Sequence, residues 1–139
     1  MEFTVNGKRF QISNECRQRS GMRDFVPSGS AYTAISEETE PIIMAPIADI
    51  SPPERDLGNK LVFYEERMEA VLGAISKIIP LPPIEVEQSE CGGYRYKLSH
   101  GVHRYYASAA AGFSHVPVVV RQHFDAEAWF TAEGAKCNR

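Results

Sequence analysis

The sequence predicts an α+β protein, with a small mixed sheet packed against helices and an N-terminal β-hairpin extension. Three observations predict it. Apolar residues recur at three- and four-residue intervals in two segments, Met68 to Ile78 and Val102 to Ala109, as amphipathic helices require. Short alternating runs lie between them, Ile84-Glu85-Val86-Glu87 and Tyr94-Arg95-Tyr96-Lys97-Leu98, and Val116 to Val120 is nearly continuous apolar sequence. The order strand, helix, strand, strand, helix, strand then folds into one compact layered unit.

Each element has a local cause. Met1 to Ile12 alternates Phe3, Val5, Phe10 and Ile12 around Asn6-Gly7, a pair suited to a two-residue hairpin turn. Ser13 to Ser30 is polar, carries Gly21, Pro27 and Gly29, and reads as loop. Ala31 to Ile35 reads as a short strand, followed by an acidic turn over Ser36 to Glu40. Ser51-Pro52-Pro53 breaks regular structure, because each proline restricts the residue before it. A helix follows over Tyr64 to Lys77, with Met68, Val71, Leu72, Ile75 and Ile78 on one face. Glu65 and Glu66 complement its positive end. Pro80 to Pro83 ends it. The alternating runs at Ile84 to Glu87 and Tyr94 to Leu98 read as a hairpin. Val102, Tyr105, Tyr106 and Ala109 form the buried face of a second helix, which Gly112 terminates. Pro117 stands near the start of the last strand, where a missing donor is tolerated. Asp125 caps a short closing helix reaching Glu133.

At 139 residues, the chain suits a single domain divided as 1–41 (β-rich extension), 42–122 (core) and 123–139 (short helix and tail). Hydrophobic content of 43% and charged content of 24% are ordinary for a globular protein. No apolar run is long enough to cross a bilayer, so no membrane partner is expected and the location is read as cytoplasmic. Three cysteines, Cys16, Cys91 and Cys137, lack a pairing motif and read as reduced thiols. His100, His103, His115 and His123 have no carboxylate or cysteine spaced to complete a zinc site, so no metal is predicted from side chains alone. A net charge of −3 disfavours strong DNA binding, which depends on phosphate neutralisation.

The most informative stretch is Gly92 to Ala107, a strand running through Gly101 into a helix that carries His103 and Arg104 on its first turn. The first amides of a helix have no intrahelical partner and sit at a positive dipole end, which favours phosphate. Gly101 admits close approach, and Val102, His103 and Arg104 supply the leading amides.

From Ile47 to Val120 the chain resembles the ParB/sulfiredoxin-like superfamily. The resemblance rests on five segments in order. They are the helix Met68 to Ile75, Pro82-Pro83-Ile84-Glu85-Val86, Gly93-Tyr94-Arg95-Tyr96, Gly101-Val102-His103-Arg104 and Val116-Pro117-Val118. It implies a bound nucleotide, ATP, ADP or another with Mg²⁺, or a small phosphorylated ligand. Phosphate contacts fall to Arg67, Gly101, Val102, His103 and Arg104. By similarity to free-serine kinases, Glu54 takes the place of the catalytic base, beside His103 and Arg104. Three departures bear on chemistry. Val102 stands where sulfiredoxins carry their nucleophilic cysteine, and it has no thiolate chemistry. Ala70 and Ala74 stand where sulfiredoxins carry hydroxyls. His100 stands where the kinases carry an Asp that helps hold Mg²⁺. The 19 residues after Val120 leave no room for a DNA-reading helix-turn-helix, so a centromere-binding partition protein is not expected.

The expected function is nucleotide or phosphate binding, with phosphoryl transfer or NTP hydrolysis such as ATPase activity as its enzymatic form. The alternative is a catalytically degenerate module that binds a protein partner, similar to plasmid-encoded fertility inhibitors. Nuclease activity, known among relatives of this fold, fits the acidic charge least.

Overall fold

The computed structural model describes residues 2–35, 41–52, 64–89 and 93–121. Strands β1 (Glu2–Val5) and β2 (Lys8–Gln11) pair antiparallel, with Phe3 opposite Phe10. Asn6 and Gly7 turn between them with φ of 49° and 81°, the two positive values a tight twisted hairpin requires. The turn is anchored as well as bent. Asn6 Nδ2 donates to the Ile47 and Ile50 carbonyls at 2.9 and 2.8 Å and to the Tyr105 hydroxyl at 3.1 Å. Val5, Phe10 and Ile12 join the same buried cluster as Ile50, Leu72, Ile84 and Val118. The hairpin expected as an extension is therefore part of the common core.

Ser13 to Ser30, expected as loop, contains α1 (Asn14–Ser20) and a 3-10 turn at Met22–Asp24. Ser13 caps the helix by accepting from the Cys16 amide at 3.0 Å, and Gly21 ends it with φ of 80°. Only Cys16 and Ser20 of α1 are buried, so its hydrophobic period is too short to show in the sequence. Ala31 to Ile35, expected as a strand, makes only an isolated bridge, Ala34 to Leu81.

Next come β3 (Ile43–Pro46), a 3-10 turn at Ile47–Asp49 and β4 (Ile50–Ser51). Helix α2 (Glu65–Ser76) buries Met68, Leu72 and Ile75 of the expected face and half-buries Val71, whereas Ile78, also expected there, lies past the helix and is exposed. It ends in a Schellman-type turn in which the Ile79 amide donates to the Ala74 carbonyl at 2.8 Å. Ile78 occupies the left-handed position there, with φ of 59°. Strands β5 (Ile84–Gln88) and β6 (Tyr96–His100) form the expected antiparallel pair, with β6 two residues later than its alternation suggests. Helix α3 (Val102–Ala111) ends at Gly112, and β7 (His115–Val120) closes the sheet.

The sheet order is β3-β7-β5-β6-β4. The β3–β7 and β5–β6 pairs are antiparallel, whereas β5–β7 and β4–β6 are parallel, which makes the sheet mixed. Pro117 lies one residue before the β5–β7 ladder, which starts at the Ile84–Val118 pair, so its missing N–H leaves that ladder intact. Tyr105 and Tyr106 are fully buried, edge to face at 4.9 Å, and Phe10 packs edge-on to Tyr106 at 4.8 Å. Burial holds the Tyr105 hydroxyl pKa above its ordinary value, so it stays a neutral donor, here to the Ile50 carbonyl at 3.1 Å. Cys91, His123 and the expected helix from Asp125 to Glu133 lie outside the described residues. Among the described residues no helix is long and apolar enough to cross a membrane.

Candidate functional site

Gly101 joins β6 to α3 with φ of 105°, a conformation that L side chains rarely adopt. A β-carbon there would lie 2.7 Å from Ile84 Cγ2 and 2.9 Å from Ile84 Cβ. Its need for glycine thus comes from the turn and from β5, so the close approach expected for a ligand is taken up by the protein's own Ile84. What the glycine does leave open is the helix end, because an N-cap without a side chain cannot fold over the leading amides. The Tyr105 amide already bonds the Gly101 carbonyl at 2.9 Å, and the first turn, Gly101 to Arg104, is half-buried.

Arg104 turns back from that helix start. Its Nη1 donates to the carbonyls of Pro82 at 2.9 Å and Pro83 at 3.0 Å. The two prolines that end the approach to β5 offer carbonyls with no strand partner, and one guanidinium nitrogen satisfies both. Tyr32 donates its hydroxyl to the same Pro82 carbonyl at 2.6 Å. The Nη2 end of the guanidinium stays beside Gly101, 3.3 Å from where a β-carbon would be. Arg104 is therefore first a positioning residue that ties the α3 start to β5, with one edge of its charge left at the helix end.

His103 reaches from α3 to the start of α2. Its Nε2 accepts the Tyr64 backbone N–H at 3.3 Å, and its ring stacks on Tyr64 with centroids 6.2 Å apart and planes 23° apart. Tyr64 is the N-cap residue of α2 and has no side-chain cap of its own, so His103 supplies one from the neighbouring helix. Accepting at Nε2 requires the neutral ring with its proton on Nδ1. Burial, and then the charge of Arg67, hold the His103 pKa below its ordinary value. Arg67 lies on the exposed face of α2 with its guanidinium carbon 5.7 Å from the Tyr64 ring centroid.

The structure thus brings together Arg67, Gly101, Val102, His103 and Arg104 around the converging first turns of α2 and α3. Tyr64 sits between them and is 73% exposed, a wall residue that the sequence reading missed. Its only sequence signal is its place just before the first glutamates of α2. Val102 is half-buried and packs against the core. His100 is exposed at the end of β6, with Nδ1 3.2 Å from the Ser99 carbonyl. Glu54, the expected base, lies outside the described residues. No cluster of three or more His, Cys, Asp or Glu side chains is present among the described residues. Any Mg²⁺ here would therefore be held chiefly by the phosphates of a bound nucleotide and by water, as is usual for this ion.

A separate cavity of about 400 Å³ opens on the other side of α2, lined by Arg19, Glu66, Ala70, Gly73, Lys77 and Ile79 among others. It does not include the α3 helix start. Ala70 and Ala74, the positions where a hydroxyl was missing, line this cavity.

A helix entered through glycine, set against a mixed sheet and joined at its start to the start of a second helix, defines an α+β domain. Residues 32–134, well over half of the chain, match the ParB N-terminal domain, and the chain belongs to that family. It is thereby a member of the ParB/sulfiredoxin-like superfamily that its motifs resemble. Sulfiredoxin from Arabidopsis thaliana is 23% identical with a TM-score of 0.43, over 59% of this chain and 85% of that one. The C-terminally truncated chromosome-partitioning protein ParB from Caulobacter crescentus, solved with CTP-γ-S, is 24% identical with a TM-score of 0.49. That likeness covers 71% of this chain and 56% of the other. No curated protein sequence matches the chain.

Proposed function

We propose that this chain binds a nucleotide, through its phosphates, between the first turns of α2 and α3. One observation carries the reading: His103 and Tyr64 join two helix N-termini, with Arg67 on one side and the free edge of Arg104 on the other. Two positive helix ends and two guanidinium groups converge on one half-exposed surface, an arrangement suited to an oxyanion. Membership in the ParB N-terminal domain family supports it, as does the resemblance of Gly101 to Arg104 to the superfamily's glycine-led turn. Tyr64, 73% exposed, offers aromatic surface beside Arg67 for a base or ribose.

Hydrolysis or phosphoryl transfer is the enzymatic extension of this reading, with Glu54 as base and His103 and Arg104 at the phosphate. A specific observation favours binding without turnover: Arg104 spends one nitrogen on the Pro82 and Pro83 carbonyls, which leaves less of its charge for a transition state. A degenerate module that exposes its nucleotide state to a protein partner is the second reading.

Isothermal titration with ATP, ADP and CTP, with and without Mg²⁺, tests the site. Arg67→Ala and His103→Ala are expected to weaken binding by about ten-fold or more each. Wild-type affinity retained in both variants refutes this location. Phosphate release by the wild type, lost in Glu54→Gln, selects the enzymatic form. No release selects the second reading.

A further inference from the structure

The cavity beside α2 is bordered by opposite charges at its two ends. Glu66 stands in the first turn of α2 and Lys77 just past its last residue, and both line the same opening. Between them the floor is Ala70, Gly73 and Ala74. Eleven residues separate the two charges, roughly 16 Å along the helix, which is too far for them to pair within one copy. Neither has an ion-pair partner among the described residues, while the other charges at the rim, Arg19 and Glu69, are already paired at 2.8 Å.

This pattern is its own complement when reversed. In an antiparallel pair of α2 helices, the register that sets Glu66 opposite the partner's Lys77 also sets Ala70 opposite the partner's Gly73, because both pairs share one midpoint. Small residues at the centre allow close approach of the two backbones. The two Glu–Lys contacts form at either end, and the helix dipoles align favourably. Ile79, 51% exposed at the cavity's edge, supplies apolar surface to cover.

We infer that the outer face of α2 is a self-association surface, on which a second copy of this chain packs its own α2 antiparallel across a two-fold axis between Ala70 and Gly73. Self-complementarity of charge selects a second copy over an unrelated protein, since an isologous contact requires the same patch on both sides. The inference does not rest on the nucleotide reading. Arg67 points about 100° around the helix from Glu66, toward the other site.

Charge reversal tests it on the full chain without nucleotide, by sedimentation equilibrium at submillimolar loading. The wild type is expected to show a concentration-dependent monomer–dimer equilibrium. Glu66→Lys alone and Lys77→Glu alone place like charges at both ends and are expected to weaken association by about ten-fold or more. An equimolar mixture of those two variants restores both opposite-charge contacts and is expected to associate more tightly than either variant alone. Circular dichroism of each variant confirms that it is folded. A wild type that stays monomeric, or a mixture that associates no better than its components, overturns the proposal.

Discussion

Replacing Gly101 by alanine tests the geometry that sets the start of α3. Two costs add at this position. A β-carbon at φ of 105° is strained by about 1–3 kcal/mol. The same β-carbon would stand 2.7 and 2.9 Å from Ile84, a fully buried residue of the central strand β5 that has no room to retreat. Overpacking of this kind costs about 1–3 kcal/mol more. The expected loss is therefore about 2–6 kcal/mol, a large share of the stability of a domain this size. Gly7→Ala is the control, because Gly7 has φ of 81° with nothing within 4 Å of its would-be β-carbon, so only the backbone term remains. Urea unfolding followed by circular dichroism reads both variants, with m compared to verify the same transition. In Gly101→Ala/Ile84→Ala, the combined loss should fall short of the sum of the single losses by about 1 kcal/mol or more, because the cavity admits the new methyl. If Gly101→Ala costs no more than Gly7→Ala, the close contact with β5 is not what demands glycine.

Two further outcomes follow from the same contacts. The His103 pKa lies below its unfolded value of 6.5, so the unfolded chain binds the proton more readily. Its contribution is complete above that unfolded value and is lost as pH falls through the lower folded pKa. Urea midpoints measured across pH should drop on acidification more steeply in the wild type than in His103→Gln; parallel curves would contradict the cross-helix cap. Ile78 is a β-branched residue at φ of 59° with 67% of its surface exposed, so Ile78→Gly relieves strain while giving up little burial. It should raise stability by about 1 kcal/mol in the same assay, and a loss would mean that the side chain has a packing role.

The periodicities that located α2, α3 and β7 were readable because each element buries a face long enough to repeat. Helix α1 was not, since seven residues with two buried positions leave no period to detect, and its Ser13 cap is a signal shared with many turns. β3 and β4 were missed for a related reason: they are short, they lie at the two edges of the sheet, and only Ala45 of β3 and Ile50 of β4 are buried. At the candidate site, the glycine entry and the His103-Arg104 turn were legible as a motif. The detour of Arg104 to two proline carbonyls was not, because those acceptors stand 21 and 22 residues away.

The sequence alone determined the local vocabulary: a two-residue turn at Asn6-Gly7, amphipathic faces on α2 and α3, a glycine at each end of α3, and an apolar strand that must be covered on both sides. These follow from backbone sterics and from the periods of helix and strand, which depend only on near neighbours. Tertiary structure alone decided that Asn6 clamps Ile47 and Ile50, that His103 caps α2, and that Gly101 yields its space to Ile84. Those pairings join residues 17 to 44 positions apart. No near-neighbour rule encodes them, because which groups meet is fixed only when the buried faces have packed.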